Sequence, residues 1–239
     1  MKTRNAVREA GRRHPHGHDI SARADTGRTS PAVPRAGSVA FFSGFAALAF
    51  LWLGPLPAMS QTAFSPAMLL HLGVVALAAP LIAFGLAGAA IRPGFRAPSM
   101  FWPVGASLFE ALLVWGWHVP AAHEAAARSQ AFFAAQQLSY LAAGLAVWFF
   151  ALAGRGRQAA AGGVLACFLS FMHMTVLGML FLLLPVSLYD PALCRGAYGL
   201  SPLDDQRLGG MLMIGWGGLA FLAGGLIRAW PLVSGADGR

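Results

Sequence analysis

The sequence predicts an all-α, polytopic transmembrane helical bundle of about six spans, with the N-terminus and the C-terminus in the cytoplasm. Three observations support this fold class. The 239 residues are 57% hydrophobic and 11% charged, with a mean hydropathy of +0.60, whereas soluble domains average roughly 25% charged residues. Apolar runs of about 20 residues, long enough to cross a bilayer as a helix, recur along the chain. The alternation over roughly ten residues that a membrane β-barrel needs does not occur.

Segment 1–38 differs from the rest in composition. It holds eight of the seventeen Lys and Arg residues among Gly, Pro and Ser, and it has too few large apolar side chains to offset the entropy of ordering. We predict a disordered, basic cytoplasmic tail, in which "HPHGH" (His14, His16, His18) is more typical of a flexible segment than of a metal site. Because the basicity is local, the net charge of +8 does not indicate nucleic-acid binding.

Six apolar segments follow, and a short C-terminal tail (231–239) ends the chain. The six apolar segments cover about residues 39–56, 66–91, 100–119, 131–153, 160–188 and 208–230. Each is long enough to cross, and internal prolines such as Pro80 and Pro185 are tolerated because neighbouring helices satisfy the freed backbone groups. The first segment has an alternative interpretation as a cleaved signal peptide, with the small residues Ala58 and Ser60 before Gln61. The long basic region ahead of it favours an uncleaved span.

The distribution of Lys and Arg predicts the orientation. With a cytoplasmic N-terminus, the inner segments hold fourteen of these residues and the outer loops hold three, as basic residues favour the cytoplasmic side. The outer side then carries "HVPAAHEAAARSQ" and the loop from Tyr189 to Arg207. Cys194 lies in that loop and Cys167 in the inner half of the fifth span, too far apart to pair. Cys194 is thus a free outer thiol or a soft metal ligand.

His71 is a candidate metal ligand in the outer half of the second span. Met68 precedes it by three positions and shares its helical face. Thioether sulfur favours Cu(I) and imidazole binds copper in either state, so the pair is a start for a copper site. Packing of a hydrogen-bonded imidazole against Met68 explains the pair equally well. At the outer end of the third span we expect His118 to approach His71, and we expect His123 beyond it to be solvated.

Glu110 and His173 are ionisable residues near mid-depth in the third and fifth spans. Such residues are costly in hydrocarbon and indicate function. Their similar depth suggests that they form a pair; alternatively, Glu110 stays protonated and donates a hydrogen bond. Met172 and Met174 flank His173, but adjacent helical residues point about 100° apart. The three side chains therefore cannot all face one ion.

The stretch "YGLSPLDDQRLGG" begins the last span on the outer side. Ser201 is the predicted N-cap, a proline follows at the first helical position, and Asp204 lies three residues after the cap. The helix dipole favours Asp204 and Asp205, and Asp204 is expected to pair with Arg207. The alternative is that Asp204, Asp205 and Gln206 form a docking or cation-receiving surface.

Four motifs together resemble the CtaG-like cytochrome c oxidase assembly proteins. They are "HLGVVALAAPLIAFG" in the second span, "WHVPAAHEAA" after the third, "LYD" after the fifth and "GLSPLDDQRLGGMLM" opening the last. The likeness runs from about Pro66 to Trp230, and the last motif is the most specific. It implies a multi-pass inner-membrane protein that aids maturation of a haem-copper oxidase, with copper handling as its usual proposed role and no enzymatic reaction.

The resemblance also identifies departures from the family pattern. His71, His118 and His173 match it. Positions where relatives commonly have imidazoles hold Ala67, Phe133 and Gln137 here, and Gln136 stands where the family pattern has Glu or Gln. The absence of these imidazoles favours one of two alternatives. One is a low-coordinate Cu(I) site that adds Met211 or Met213 to Met68, and the other is an assembly factor without metal. Met211 and Met213 lie on nearly opposite faces, so at most one can join His71.

Three functions remain open. The first is a membrane-integral assembly factor that holds or passes copper on the outer side, with Met68, His71, His118 and His173 as candidate ligands. The second is a metal-free scaffold that docks an oxidase subunit, and the third is a haem-binding redox protein with His71 and His173 as axial ligands. Expected partners are a cytochrome c oxidase subunit or a copper chaperone, and the lipid bilayer. Catalysis is not expected, because no activated nucleophile, phosphate-binding glycine loop or CxxC pair is present.

Overall fold

Helices are the regular elements of residues 32–90 and 99–234, the part of the chain that the computed structural model describes. They are α1 (Ala32–Leu53), α2 (Leu56–Ser60), α3 (Phe64–Gly73), α4 (Ala79–Ala90), α5 (Phe101–His118), α6 (Pro120–Arg128), α7 (Gln130–Leu152), α8 (Arg157–Leu183), α9 (Pro202–Leu212) and α10 (Leu219–Ser234). Two π-helical turns, Val74–Ala78 and Met213–Gly218, join α3 to α4 and α9 to α10. The predicted all-α class is confirmed.

Membrane-length helices correspond to the predicted spans. Five stretches are long and apolar enough to cross a bilayer: Ala36–Leu53, Phe64–Gly88, Gln130–Leu152, Arg157–Leu183 and Pro202–Ser234. Helix α5 corresponds to the remaining predicted span and packs against α7 and α8. Its 18 residues extend roughly 27 Å, close to the thickness of the hydrocarbon core. About six spans is therefore consistent with the structure.

The two predicted tails fall largely outside the described residues. Helix α1 begins at Ala32, earlier than the predicted start at residue 39. The remainder of the predicted N-terminal tail, with the "HPHGH" stretch, lies outside the described part. At the other end, α10 continues to Ser234, and residues 235–239 are likewise not described.

The fifth span is shorter than predicted. Helix α8 ends at Leu183, and Leu184 is extended, with φ −59° and ψ 131°. The residue before a proline is driven out of the helical region by the proline ring, and Pro185 follows directly. Pro185 therefore terminates this span, contrary to the prediction that it lies within it.

Pro80 lies within the second span, as predicted, and the π-helical turn before it accommodates the ring. Ala79 N–H donates to the carbonyl of Val74, so the backbone has shifted to the wider π spacing. In the same pattern the Val75 carbonyl would accept a hydrogen bond from the backbone N–H of residue 80, but Pro80 has no N–H. Trp148 of α7 supplies one, since its Nε1–H donates to the Val75 carbonyl at 2.8 Å. A neighbouring helix thus satisfies the backbone group that the proline leaves free.

Two glycines allow α8 and α9 to approach closely. A Cβ atom on Gly178 would lie 2.8 Å from the Gly210 carbonyl oxygen, and a Cβ on Gly210 would lie 2.6 Å from that of Gly178. Any larger residue at either position would push the helices apart. Small residues that permit backbone contact are a usual feature of helix pairs in membranes.

Three connecting segments meet at one end of the bundle. Arg195 N–H donates to the Thr62 carbonyl at 2.9 Å, which joins the loop after α8 to the loop before α3. The Tyr189 hydroxyl donates to the His118 carbonyl at 2.9 Å, which joins that same loop to the end of α5. These are the segments that the Lys and Arg distribution assigns to the outer side. We call this end of the bundle the outer end.

Candidate functional site

Met68, His71 and His118 lie together near the outer end, and we call them the donor cluster. Helix α3 carries Met68 and His71, and His118 is the last residue of α5. His118 Nε2 is 3.2 Å from Met68 Sδ, and the rings of His71 and His118 have centroids 5.6 Å apart. The expected approach of His118 to His71 is confirmed. All three side chains are buried, with 1–3% of their surface exposed.

His118 is held in one tautomer. Its Nδ1 lies 2.6 Å from the Val114 carbonyl oxygen, which only accepts, so Nδ1 carries the proton and donates. In a neutral imidazole Nε2 then carries a lone pair. That lone pair faces Met68 Sδ, which is itself a weak acceptor. Two electron-pair donors therefore face each other with no hydrogen between them.

His71 has unused bonding capacity in a buried position. Neither ring nitrogen has a hydrogen-bond partner, although only 1% of the residue is exposed. Its ring packs against Tyr140 of α7, with centroids 4.2 Å apart. Buried polar atoms are nearly always paired, so two orphaned nitrogens in one ring require an explanation. The chemistry of the neighbouring donors fits a soft cation such as Cu(I).

A small cavity adjoins the donor cluster, and we call it the relay cavity. It is lined by Ser60, Gln61, Ala67, Met68, His123, Ala126, Ala127, Phe133, Gln136, Gln137 and Tyr140, and its volume is about 10 Å³. That is about the minimum volume that holds one water molecule, so a single ion fits and a larger ligand does not. Ala67, Phe133 and Gln137, the three positions at which the sequence departs from the pattern of the resemblance, all line it, and so does Gln136. These positions of α3 and α7 therefore converge on one cavity.

His123 is buried, so the prediction that it is solvated is wrong. Only 5% of it is exposed, because the loop after α8 folds over α6. Its ring packs against Tyr189 at 4.4 Å and Phe64 at 5.6 Å between centroids. Burial, and then the nearby His118, lower the pKa of His123 to about 3. The imidazole is therefore neutral at physiological pH.

Cys194 contacts His123 from the outer loop. The two cysteines of the chain do not pair with each other, as predicted, and both are buried. Cys194 Sγ lies 3.8 Å from His123 Nε2, and we call these two side chains the cap pair. Burial raises the pKa of the Cys194 thiol to about 12, and the carboxylates of Asp205, Glu124 and Asp190 contribute in the same direction. Cys194 thus keeps its proton in a region of negative potential.

Glu110 and His173 form the predicted pair. His173 Nε2 lies 3.3 Å from Glu110 Oε2, and the Ser170 hydroxyl donates to the same oxygen at 2.5 Å. Ser107 continues this polar group, with its Oγ 2.9 Å from that of Ser170. The group lies between α5 and α8, so the partner that the structure gives His173 is Glu110 and not the donor cluster.

The start of α9 follows the predicted capping pattern. Ser201 is the N-cap and its hydroxyl accepts from Asp204 N–H at 3.2 Å, with Pro202 at the first helical position. Arg207 Nη1 lies 3.5 Å from Asp204 Oδ1. Asp204 therefore serves its own helix, at the surface.

Asp205 caps a different helix. It is fully buried, and its Oδ2 accepts from the backbone N–H of Phe64 at 2.7 Å and of Ser65 at 3.2 Å. The Ser65 hydroxyl donates to Oδ1. These groups belong to the first turn of α3, whose own N-cap, Ala63, has no side chain able to accept. The carboxylate also interacts favourably with the positive, N-terminal end of the α3 dipole.

Gln206 ties the start of α9 to the end of α8. Its Oε1 accepts from Leu188 N–H at 2.7 Å, and its Nε2 donates to the carbonyls of Phe181 and Val186, each at 3.4 Å. Asp205 and Gln206 are 0% and 1% exposed, so they are unavailable as a docking surface. Their position fixes α3, and with it Met68 and His71, against α8 and α9.

The remaining methionines differ in their exposure. Met211 is 49% exposed on the bundle surface, and Met213 is buried against Gly178 of α8. Met172 is 42% exposed whereas Met174 is fully buried, as expected from their angular separation. Among the described residues, no three His, Cys, Asp or Glu side chains converge on a common point. The donor cluster as defined supplies two imidazoles and one thioether.

A comparison with protein families gives one match that spans most of the chain. The family of cytochrome c oxidase caa3 assembly factors matches residues 20–234. The chain belongs to this family. No curated protein and no solved structure matches it. For this caa3 assembly factor, membership establishes a membrane-associated role in oxidase assembly with an oxidase-related partner, and the family is not a catalytic one.

Several residues around the site were not identified from the sequence. Their roles depend on which helix faces pack against each other. They are Tyr140, Ser65, Trp148 and the contacting pair His123 and Cys194. For Tyr140 a weak signal exists, because it follows Gln136 by four positions and so shares a face with a family-pattern position. Nothing in the local sequence distinguishes Ser65 from an ordinary first-turn serine.

Proposed function

We propose that this assembly factor holds Cu(I) as cargo at the donor cluster, on the outer side of the cell inner membrane, and passes it to an oxidase subunit. The observation that carries the proposal is the orientation of His118. Its Nδ1–H is committed to the Val114 carbonyl, so its Nε2 lone pair and Met68 Sδ face each other 3.2 Å apart. A shared soft cation is the arrangement that makes both contacts favourable.

The surroundings of the donor cluster support this assignment. A metal-bound imidazole usually donates its other ring N–H to a carbonyl or carboxylate, as His118 does to Val114. His71 adds a ring with two unpartnered nitrogens. Met68, His71 and His118 together supply two nitrogens and one thioether sulfur, a low-coordinate set. Few ligands suit a protein that must release its metal.

The same geometry argues against a haem site at His71. The cavity beside the donor cluster has a volume of about 10 Å³, which is smaller than one haem by far. His173, the other axial candidate, contacts Glu110 instead. Copper cargo is therefore favoured over a haem cofactor, and an oxidase subunit or a copper chaperone is the partner that such cargo requires.

The affinity of the purified protein for Cu(I) tests the proposal. Competition with a chromophoric Cu(I) chelator should give one tightly held equivalent for the wild type. Met68→Leu and His71→Ala should each weaken this affinity at least ten-fold, because each removes one donor. Met172→Leu is the control, since Met172 lies in α8 and is 42% exposed, and it should bind as the wild type does.

Oxidase maturation in cells supplies the second measurement. Membranes from cells carrying His71→Ala should contain oxidase that is deficient in copper, with the assembly factor itself present at its normal level. A wild-type protein that binds no Cu(I), together with normal oxidase in the His71→Ala strain, would contradict the proposal. That result would favour the metal-free scaffold that docks an oxidase subunit through its helices.

A further inference from the structure

A second set of soft donor atoms lies between the donor cluster and the outer surface. The cap pair, His123 and Cys194, is 5% and 4% exposed, with Nε2 and Sγ 3.8 Å apart. A first-row metal ion such as zinc binds thiolate sulfur at about 2.3 Å and imidazole nitrogen at about 2.0 Å. A separation of 3.8 Å is therefore slightly less than the sum of two such bonds. One ion can bind both atoms at a wide angle without moving either residue far.

The charges around the cap pair favour a cation. Asp205, Glu124 and Asp190 are close enough to Cys194 to act on its thiol. Arg128 lies 3.4 Å from Glu124 and 3.6 Å from Asp190, so it offsets part of that charge at the surface. Asp205 has no basic partner among its hydrogen bonds, which come from Phe64 and Ser65. Its negative charge therefore remains beneath the loop.

The relay cavity lies between one member of the cap pair, His123, and one member of the donor cluster, Met68. His123 and Met68 both line it, so an ion that leaves one side chain meets the other across a single small space. Gln137 also lines it, is 5% exposed, and has an Oε1 atom with no hydrogen-bond partner. Buried carbonyl oxygens nearly always have a partner, so this unpartnered oxygen in the cavity wall indicates that a polar molecule or a cation binds there.

We propose that His123 and Cys194 form a receiving site for Cu(I), from which the ion passes through the relay cavity to Met68 and His118. The inference rests on the proposed function. Copper arrives as a Cu(I) thiolate complex. The bond from copper to the incoming thiolate breaks as bonds to Cys194 Sγ and His123 Nε2 form, and the Cys194 proton transfers to the released thiolate. On the inward step the proton returns to Cys194 from solvent, and copper stays Cu(I) throughout.

The rate of copper loading tests the receiving site. The purified full-length protein is mixed with the Cu(I) complex of glutathione, and bound copper is measured after rapid desalting at successive times. Cys194→Ala should load at least ten-fold more slowly and still reach the wild-type equilibrium affinity. Cys167→Ala is the matched control, because Cys167 is the other buried free thiol, and it should load at the wild-type rate.

X-ray absorption gives a readout that does not depend on rates. In Met68→Leu the onward step is weakened, so copper should remain on the cap pair and show one sulfur neighbour. In the double variant Met68→Leu, Cys194→Ala that sulfur should be absent. Copper in Met68→Leu with only nitrogen or oxygen neighbours, or no copper there at all, would overturn the receiving site.

The outcomes separate the two proposals. If the wild type holds Cu(I) tightly but Cys194→Ala loads as fast as the wild type, the receiving site is wrong and the proposed function stands. If the wild type holds no Cu(I), both are wrong.

Discussion

Two adjacent aspartates in α9 have opposite roles. Asp204 is exposed and stabilises its own helix through Ser201 and Arg207. Asp205 is buried and accepts from Phe64 and Ser65 at the start of α3. One residue position turns the side chain by about 100°, from the surface to the core. The helix that carries Met68 and His71 therefore depends on a carboxylate that lies about 140 residues later in the chain.

Replacing these aspartates separately should reveal the difference. Asp205→Asn leaves an amide that cannot accept all three hydrogen bonds, and we expect it to destabilise the protein by about 1.5–3 kcal/mol, the range for hydrogen bonds to a charged group. Asp204→Asn should cost clearly less, since the site is exposed. The loss of monodisperse protein in detergent on heating measures both. Equal shifts would show that Asp205 has no special role in holding α3.

Among the helices, the second span carries both Pro80 and two residues of the donor cluster, Met68 and His71. The π-helical turn Val74–Ala78 begins three residues after His71 and accommodates Pro80. Wide turns of this kind are frequent at functional sites because they change the direction of side chains along a helix. Here the Trp148 indole satisfies the Val75 carbonyl that the turn leaves without a backbone donor. The fourth span thereby stabilises the second beside the donor cluster.

Trp148→Phe should destabilise the protein by about 1–3 kcal/mol, because it removes the indole N–H and leaves a buried carbonyl unsatisfied, and the smaller phenyl ring also fills less of the core. Trp102→Phe is the control, since Trp102 is 61% exposed and should tolerate the change. Thermal stability in detergent measures the loss. Comparable stability of the two variants would indicate that water or another group replaces the indole.

In the molecule as a whole, three connecting segments pack together and cover the outer end of the helical bundle. Residues from three connecting segments enclose the cap pair, joined by the hydrogen bonds of Arg195 and Tyr189. These segments carry three Lys and Arg residues against fourteen on the opposite side, which predicts that the outer end faces away from the cytoplasm. Such an orientation would place the donor cluster on the side where copper is expected to arrive.

Labelling of single introduced cysteines tests this orientation. Tyr198→Cys lies in the outer loop at a position that is 64% exposed, and Arg155→Cys lies in the exposed connection between α7 and α8. A membrane-impermeant maleimide applied to intact cells should label Tyr198→Cys and not Arg155→Cys. The unsubstituted protein gives the background labelling of the native Cys167 and Cys194, both of which are buried. The reverse pattern would invert the topology and move the copper site to the cytoplasmic side.

Composition, length and short-range spacing were enough to predict the membrane class, the helical spans, the Ser201 cap and the family. They also marked Met68, His71 and His118 as candidates, since each is polar or soft in an apolar segment. Packing of the helices was needed to show that His118 faces Met68 and that His123 is buried against Cys194. Only the tertiary structure showed that Asp205 caps α3. These contacts join residues 50, 71 and 141 positions apart. Local periodicity gives the face on which a side chain lies, whereas its partner depends on which faces pack together.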